Sequence, residues 1–183
     1  RANDMSLISV RDGPRFADRV ALAAGAAMVK NAAAAATSYS LTGTLYLSQS
    51  GWLLMSVPNA LARGVFAAID EHGVELPPSE HGQGFNAHVT VMSPQDIEKL
   101  GGPARITERG KQYRYTLGRL KEVVPDDWPG VLKVWYVAVY SPDLQALRRS
   151  YGLSSLPHDG EYEFHCTVAV RRRGVLATGE TVK

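Results

Sequence analysis

Twice along the chain, an apolar run of strand length leads into a helical pattern, a loop rich in glycine or proline, and a second short strand. In the first copy, Trp52 to Val57 is the apolar run, and Pro58 and Asn59 open the helix. Leu61, Val65, Ala68, Ile69 and His72 then recur at helical spacing until Gly73 stops them. The loop Leu76 to Gly84 follows, then a strand over Asn86 to Met92 and a short helix from Ser93 and Pro94 to Gly101. In the second copy the strand is Val134 to Tyr140, and Ser141, Pro142 and Asp143 form a strong helix start. Leu144, Leu147 and Tyr151 mark its buried stripe, and Gly152 ends it. A loop with Leu156, Pro157, His158 and Gly160 leads to a strand over Phe164 to Val170. Between the copies, Tyr113 to Lys121 reads as a strand and Pro125 to Gly130 as a turn.

Upstream, Thr42 to Leu47 and Gly51 to Val57 read as two strands around a Ser-Gln-Ser-Gly turn. Residues 1–12 look irregular. Asp12 and Pro14 are read as the opening of an Ala-rich helix that runs to about Ala36. Val20 to Val29, with Arg15 and Arg19 before it, has a faint likeness to a signal peptide, but Lys30 follows at once and a helix is the better expectation. The copies also rhyme in detail. Trp52 and Trp135 front their strands, and Leu61 and Leu144 each lie nine residues further on. His81 precedes His88 by seven residues, as His158 precedes His165. An internal duplication is the expectation, with equivalent residues placed around a shared groove.

The 183 residues fit one domain, or one domain of two similar lobes, with enough apolar content (45%) to build a core. A single cysteine, Cys166, excludes an internal disulfide framework and a Cys-based zinc cluster, and a reducing, cytoplasmic setting is the simplest reading. Net charge is +2, so long duplex nucleic acid is not the expected partner. Basic residues do cluster at Arg105, Arg109, Lys111, Arg114, Arg119 and Lys121, and again at Arg171 to Arg173. They read either as a solvated face or as a rim that draws in a phosphate. No apolar run is long enough to span a membrane.

The closing strands carry the chemistry: Ala-His-Val-Thr-Val at 87 to 91 and Phe-His-Cys-Thr-Val at 164 to 168. Side chains alternate across a strand, so His88 and Thr90 share one face, as do His165 and Thr167. Val89, Val91, Cys166 and Val168 face the other way. A phosphodiester needs such a set. One neutral imidazole accepts a proton from the attacking oxygen, and the other, protonated, donates to the leaving oxygen. The threonine hydroxyls bond the non-bridging oxygens. Imidazolium and hydroxyl donors meet the developing charge, so no metal or cofactor is required. One His-x-Thr in a strand is more often structural; two, at equivalent points of a repeat, favour function.

These paired strands within duplicated lobes resemble the two-histidine (2H) phosphoesterase superfamily, over roughly residues 42–173. That superfamily includes bacterial RNA 2′,5′-ligase-like proteins, cyclic phosphodiesterases, and phage or viral enzymes that destroy cyclic oligonucleotide immune signals. The resemblance implies an α/β (α+β) fold of two pseudo-symmetric lobes, with antiparallel sheets around a V-shaped groove and helices outside. It implies catalytic pairs at His88 with Thr90 and His165 with Thr167. It divides the chain into an Ala-rich N-terminal helical extension, residues 1–41, and the bilobal domain, residues 42–183.

Substrate contacts are expected from Tyr162, Trp135 and Tyr113 by stacking, with Tyr162 preferred, and from His158 and His81 in the loops before each motif. Cys166 should be buried and inert. The expected substrate is a nucleotide or short cyclic oligonucleotide, met in the cytoplasm, or in the host cytoplasm for a phage-encoded protein. The alternatives are RNA-end 2′,3′-cyclic phosphate processing and a non-catalytic nucleotide-sequestering module. A metal-dependent hydrolase lacks support, since no His-Glu-x-x-His or acidic cluster is present.

Overall fold

The computed structural model describes residues 11–15 (backbone only), 41–78, 84–126 and 128–174. Among them, eight strands form one antiparallel sheet with three α-helices against it, an α+β fold. The strands are β1 (Arg11–Arg15), β2 (Leu41–Leu47), β3 (Leu53–Ser56), β4 (Val74–Glu75), β5 (His88–Met92), β6 (Gln112–Val123), β7 (Val131–Tyr140) and β8 (His165–Arg172). The helices are α1 (Asn59–Ala67), α2 (Pro94–Lys99) and α3 (Pro142–Ser150). Strand order is β4-β8-β7-β6-β2-β3-β5, with β1 paired to β6 off that path. The strand β6 is the hinge of this order: Thr42 to Thr44 of β2 pair with Gln112 to Arg114, whereas residues from Thr116 to Val123 pair with β7.

Alternation explains which face is filled. Leu45, Met55, Val89, Val91, Val137, Val139, Cys166 and Val168 point to one side and join a continuous core with Ala62 and Val65 of α1 and Leu144 and Leu147 of α3. Each such fully buried aliphatic side chain contributes about 1.5–3 kcal/mol. The helices begin where the sequence signals them. The Ser141 hydroxyl accepts from the Leu144 N–H, and Ser93 and Asp96 form a reciprocal capping box on α2. At Gly43 a side chain has no room. A Cβ there would lie 2.6 Å from the Met55 Cγ and closer still to the Ser56 carbonyl oxygen.

Three expectations need correction. Arg11–Arg15 is a strand, not a helix start, because its main chain pairs with β6 at Arg119, Lys121 and Glu122, the stretch beyond the part that pairs with β2. The rest of the expected N-terminal helix lies outside the described residues. The helix α1 stops at Ala67 rather than near Gly73. Its last turn tightens, with Ala68 N–H bonding the Val65 carbonyl and Ile69 N–H the Phe66 carbonyl. Val74 and Glu75, beyond it, pair as a short strand with β8. Finally, Trp52 and Trp135 are not equivalent. Ser56 lies opposite His88 and Leu54 opposite Thr90, as Ala138 lies opposite His165 and Tyr136 opposite Thr167. This registers the copies one residue away from the tryptophan alignment.

Candidate active site

The strand β5 ends the sheet order, yet it packs against β8, so the two His-x-Thr strands are brought side by side. The His88 main chain reaches the Cys166 sulfur, and His165 lies close enough to His88 for the charge of one to bear on the other. All four side chains of the two pairs are half-buried, while the residues between them, Val89 and Cys166, are buried.

Both imidazoles are held in the same way. The Nδ1 of His88 is 2.8 Å from the carbonyl oxygen of Asn86, and the Nδ1 of His165 is 2.9 Å from that of Glu163. A carbonyl only accepts, so each Nδ1 carries the proton and donates. The Nε2 of each ring is thereby the lone-pair nitrogen when neutral and the proton donor when charged. Each anchor carbonyl is two residues upstream of its histidine and is itself fixed. Before His88, the carboxamide of Asn59 bridges the chain: its Nδ2 donates to the Phe85 carbonyl at 3.1 Å and its Oδ1 accepts from Ala87 N–H at 2.7 Å. Before His165, Lys121 Nζ donates to Glu163 Oε1 at 2.6 Å. Asn59 was missed by sequence reasoning, which saw it only as a helix start; its 26- and 28-residue reach to the motif carries no local signal.

His165 is recessed, and burial pushes its pKa below the ordinary histidine value. The Glu163 carbonyl and carboxylate oppose that shift, and His158 and His88 add to it. The Tyr136 ring leans on His165, centroids 5.1 Å apart. Burial also pushes the Cys166 thiol up to about 12, which leaves it protonated and inert.

Among the other expected contact residues, His158 and Tyr162 do stand near the motif. Their rings meet edge to face, centroids 4.6 Å apart, in the loop before β8. His158 and Asp159 both adopt the left-handed conformation, at φ 50° and 54°, which costs non-glycine residues free energy and is common beside functional sites. Trp135 and Tyr113 face away from the histidines. Trp135 is 4% exposed in the core, and Tyr113 packs against the same cluster from the face it shares with Tyr115. Alternation and the strand registers decide this: Trp135 is next to Tyr136, which is the residue that faces the site. His81 lies outside the described residues. Among the described residues, no three His, Cys, Asp or Glu side chains gather so as to hold a metal ion, and no helix is long and apolar enough to cross a membrane.

An antiparallel α+β scaffold that presents two strand-borne His-x-Thr pairs, each ring anchored through Nδ1, defines a class of phosphoester-processing domain. The family model for the Swiss Army Knife 2H phosphoesterase domain matches residues 51–176, and the chain belongs to that family. The domain implies phosphoesterase-type catalysis on phosphodiester bonds. No curated protein and no solved structure matches the chain.

Proposed function

We propose that this protein is a metal-independent phosphodiesterase that hydrolyses a cyclic, 2′-5′ or 3′-5′ phosphodiester in a nucleotide or short oligonucleotide, with cyclic oligonucleotide signals among its candidate substrates. The observation that carries the reading is the matched pair of Nδ1 anchors, which leaves two Nε2 atoms for proton transfer. In this reading β2, β3, β5 and the start of β6 form one lobe. The rest of β6 with β7, β8, β4 and β1 forms the other, and the substrate lies in the groove between them. Residues 42–183 are the catalytic unit, and residues 1–41 are an extension that lends β1 to its sheet.

Burial favours neutral His165, so His165 Nε2 takes the proton of the attacking water as its oxygen bonds to phosphorus. The bond from phosphorus to the leaving oxygen breaks, and His88, as imidazolium, gives that oxygen its Nε2 proton. Thr90 and Thr167 donate hydrogen bonds to the non-bridging oxygens, whose charge grows in the transition state. Solvent returns the two rings to their starting protonation states. Tyr162 and His158 border the same site.

The test is a cleavage panel in EDTA, with 2′,3′-cyclic mononucleotides, 2′-5′ dinucleotides, and 3′-5′ and 2′-5′ cyclic di- and trinucleotides, read by chromatography. Cleavage that survives EDTA and disappears in both His88→Ala and His165→Ala supports the reading, and the preferred compound separates signal destruction from RNA-end processing. A folded protein that cleaves nothing on the panel overturns it.

A further inference from the structure

The groove face differs between the two copies of the strand pair. Beside His88, the cross-strand neighbour is Ser56, with Leu54 before it and Pro58 after it. Beside His165, the neighbour is Ala138, with Tyr136 before it and Tyr140 after it. Leu54 is buried, whereas Tyr140 is 59% exposed, the most open of the large apolar side chains among the described residues. Its ring is not part of the core: Val137 and Val139 fill that side, and Tyr140 alternates with them.

The surface between the tyrosines is cut low. Ala138 is recessed, at 8% exposure, and the next strand presents Gly118 alongside it. Gly118 does not occupy the left-handed region, so its backbone does not demand glycine; space does. A Cβ there would lie 3.1 Å from the Ala138 Cβ and 3.2 Å from its carbonyl oxygen. Gly118, Ala138 and His165 therefore run across three strands as a floor of two small residues that ends at the imidazole.

The strand spacing suits a nucleotide. Tyr140 is the diagonal cross-strand neighbour of His165, about 7–8 Å away. That is the reach of a nucleotide from its phosphorus to its base. Tyr136 is taken up by its contact with His165, which leaves Tyr140 as the face for stacking.

We propose that Tyr140 and the Ala138–Gly118 floor form a nucleobase seat beside His165, which places the base of the substrate on the β7 side of the site. The proposal rests on the phosphoester site inferred above and adds what that site recognises. Stacking on an aromatic face tolerates any base, so the seat selects for the presence of a base and not for its identity.

The test is binding, measured by calorimetry with adenosine 3′-monophosphate and ribose 5-phosphate. Wild-type protein is expected to prefer the nucleotide. Tyr140→Ala should weaken nucleotide binding by about 5- to 150-fold and collapse the preference over ribose phosphate. Tyr140→Trp should retain the preference, and Ala138→Leu, which fills the floor, should reduce it. Circular dichroism checks that each variant folds. Equal affinity of wild-type protein for the two probes, or a preference unchanged in Tyr140→Ala, overturns the seat. A preference that depends on Tyr140 in a protein that cleaves nothing supports the seat and sinks the phosphodiesterase reading instead.

Discussion

Replacing Arg148 with alanine removes a buried cation that ties the two halves of the molecule together. Arg148 lies on α3, is 1% exposed, and spends its donors on three main-chain or carboxylate acceptors. Its Nη1 is 2.6 Å from the Val91 carbonyl of β5 and 3.0 Å from Asp96 Oδ2 at the start of α2, and its Nε is 2.8 Å from the Ser154 carbonyl. Truncation leaves a largely buried carboxylate without its counter-charge and strands two carbonyls. Removing one partner of such a pair costs about 3–5 kcal/mol. Against a total stability of about 5–15 kcal/mol, the loss is large. With a urea m-value near 2 kcal/mol/M, it lowers the unfolding midpoint by roughly 1.5–2.5 M. Asp96→Asn keeps the shape and should cost less. The double variant should fall short of the sum of the two, because both changes break one contact. The assay is urea unfolding followed by circular dichroism, repeated in 0.5 M salt, which should change little because the pair is shielded from solvent. A loss below about 1 kcal/mol in Arg148→Ala, or strict additivity with Asp96→Asn, would refute the reasoning.

Four further outcomes follow from the same geometry. Burial lowers the pKa of His165, so the unfolded chain binds its proton more readily than the native one. Stability should therefore fall as pH drops through about 6.5 and level off below the native pKa, and His165→Asn should flatten that limb in thermal unfolding across pH 4–8. Gly43→Ala forces a Cβ against Met55 and the Ser56 carbonyl, and should cost about 1–3 kcal/mol; an unchanged melting temperature counts against the tight β2–β3 approach. Cys166, with its thiol near 12, should resist a disulfide reagent at pH 8 until denaturant is added, and fast labelling of the native protein would contradict its burial. Thr90→Val and Thr167→Val should each lower kcat/KM by about 10- to 150-fold, the loss of one hydrogen bond to a charged oxygen, with the fold intact by circular dichroism.

The basic stretches show where charge on the page and charge in space part company. Arg109 bonds the Ile106 and Pro103 carbonyls, Arg114 pairs with Asp143, and Lys121 pairs with Glu163. Arg171 meets Glu71, and Arg172 meets Glu75. The acidic partners lie 29 to 100 residues away in sequence, so Arg114, Lys121, Arg171 and Arg172 gain these counter-charges only on folding.

Periodicity and local chemistry were enough for much of the fold. Strand alternation alone set His88 with Thr90 and His165 with Thr167 against a buried face of Val89, Val91, Cys166 and Val168, because the period of two is a property of the extended backbone. Ser93 and Ser141 marked helix starts because their hydroxyls serve main-chain N–H groups three residues on, a local interaction. What lay beyond that range was decided by tertiary structure. The strand β1 forms only because β6 offers it a pairing edge, and the Ala-rich stretch around it gave no sign of that. The inward turn of Trp135 and the outward turn of Tyr136 depend on a one-residue register with β8. Asn59 before His88, Lys121 beside Glu163, and Arg148 between the halves act across 26 to 57 residues, where no sequence pattern reaches and only packing brings donor to acceptor.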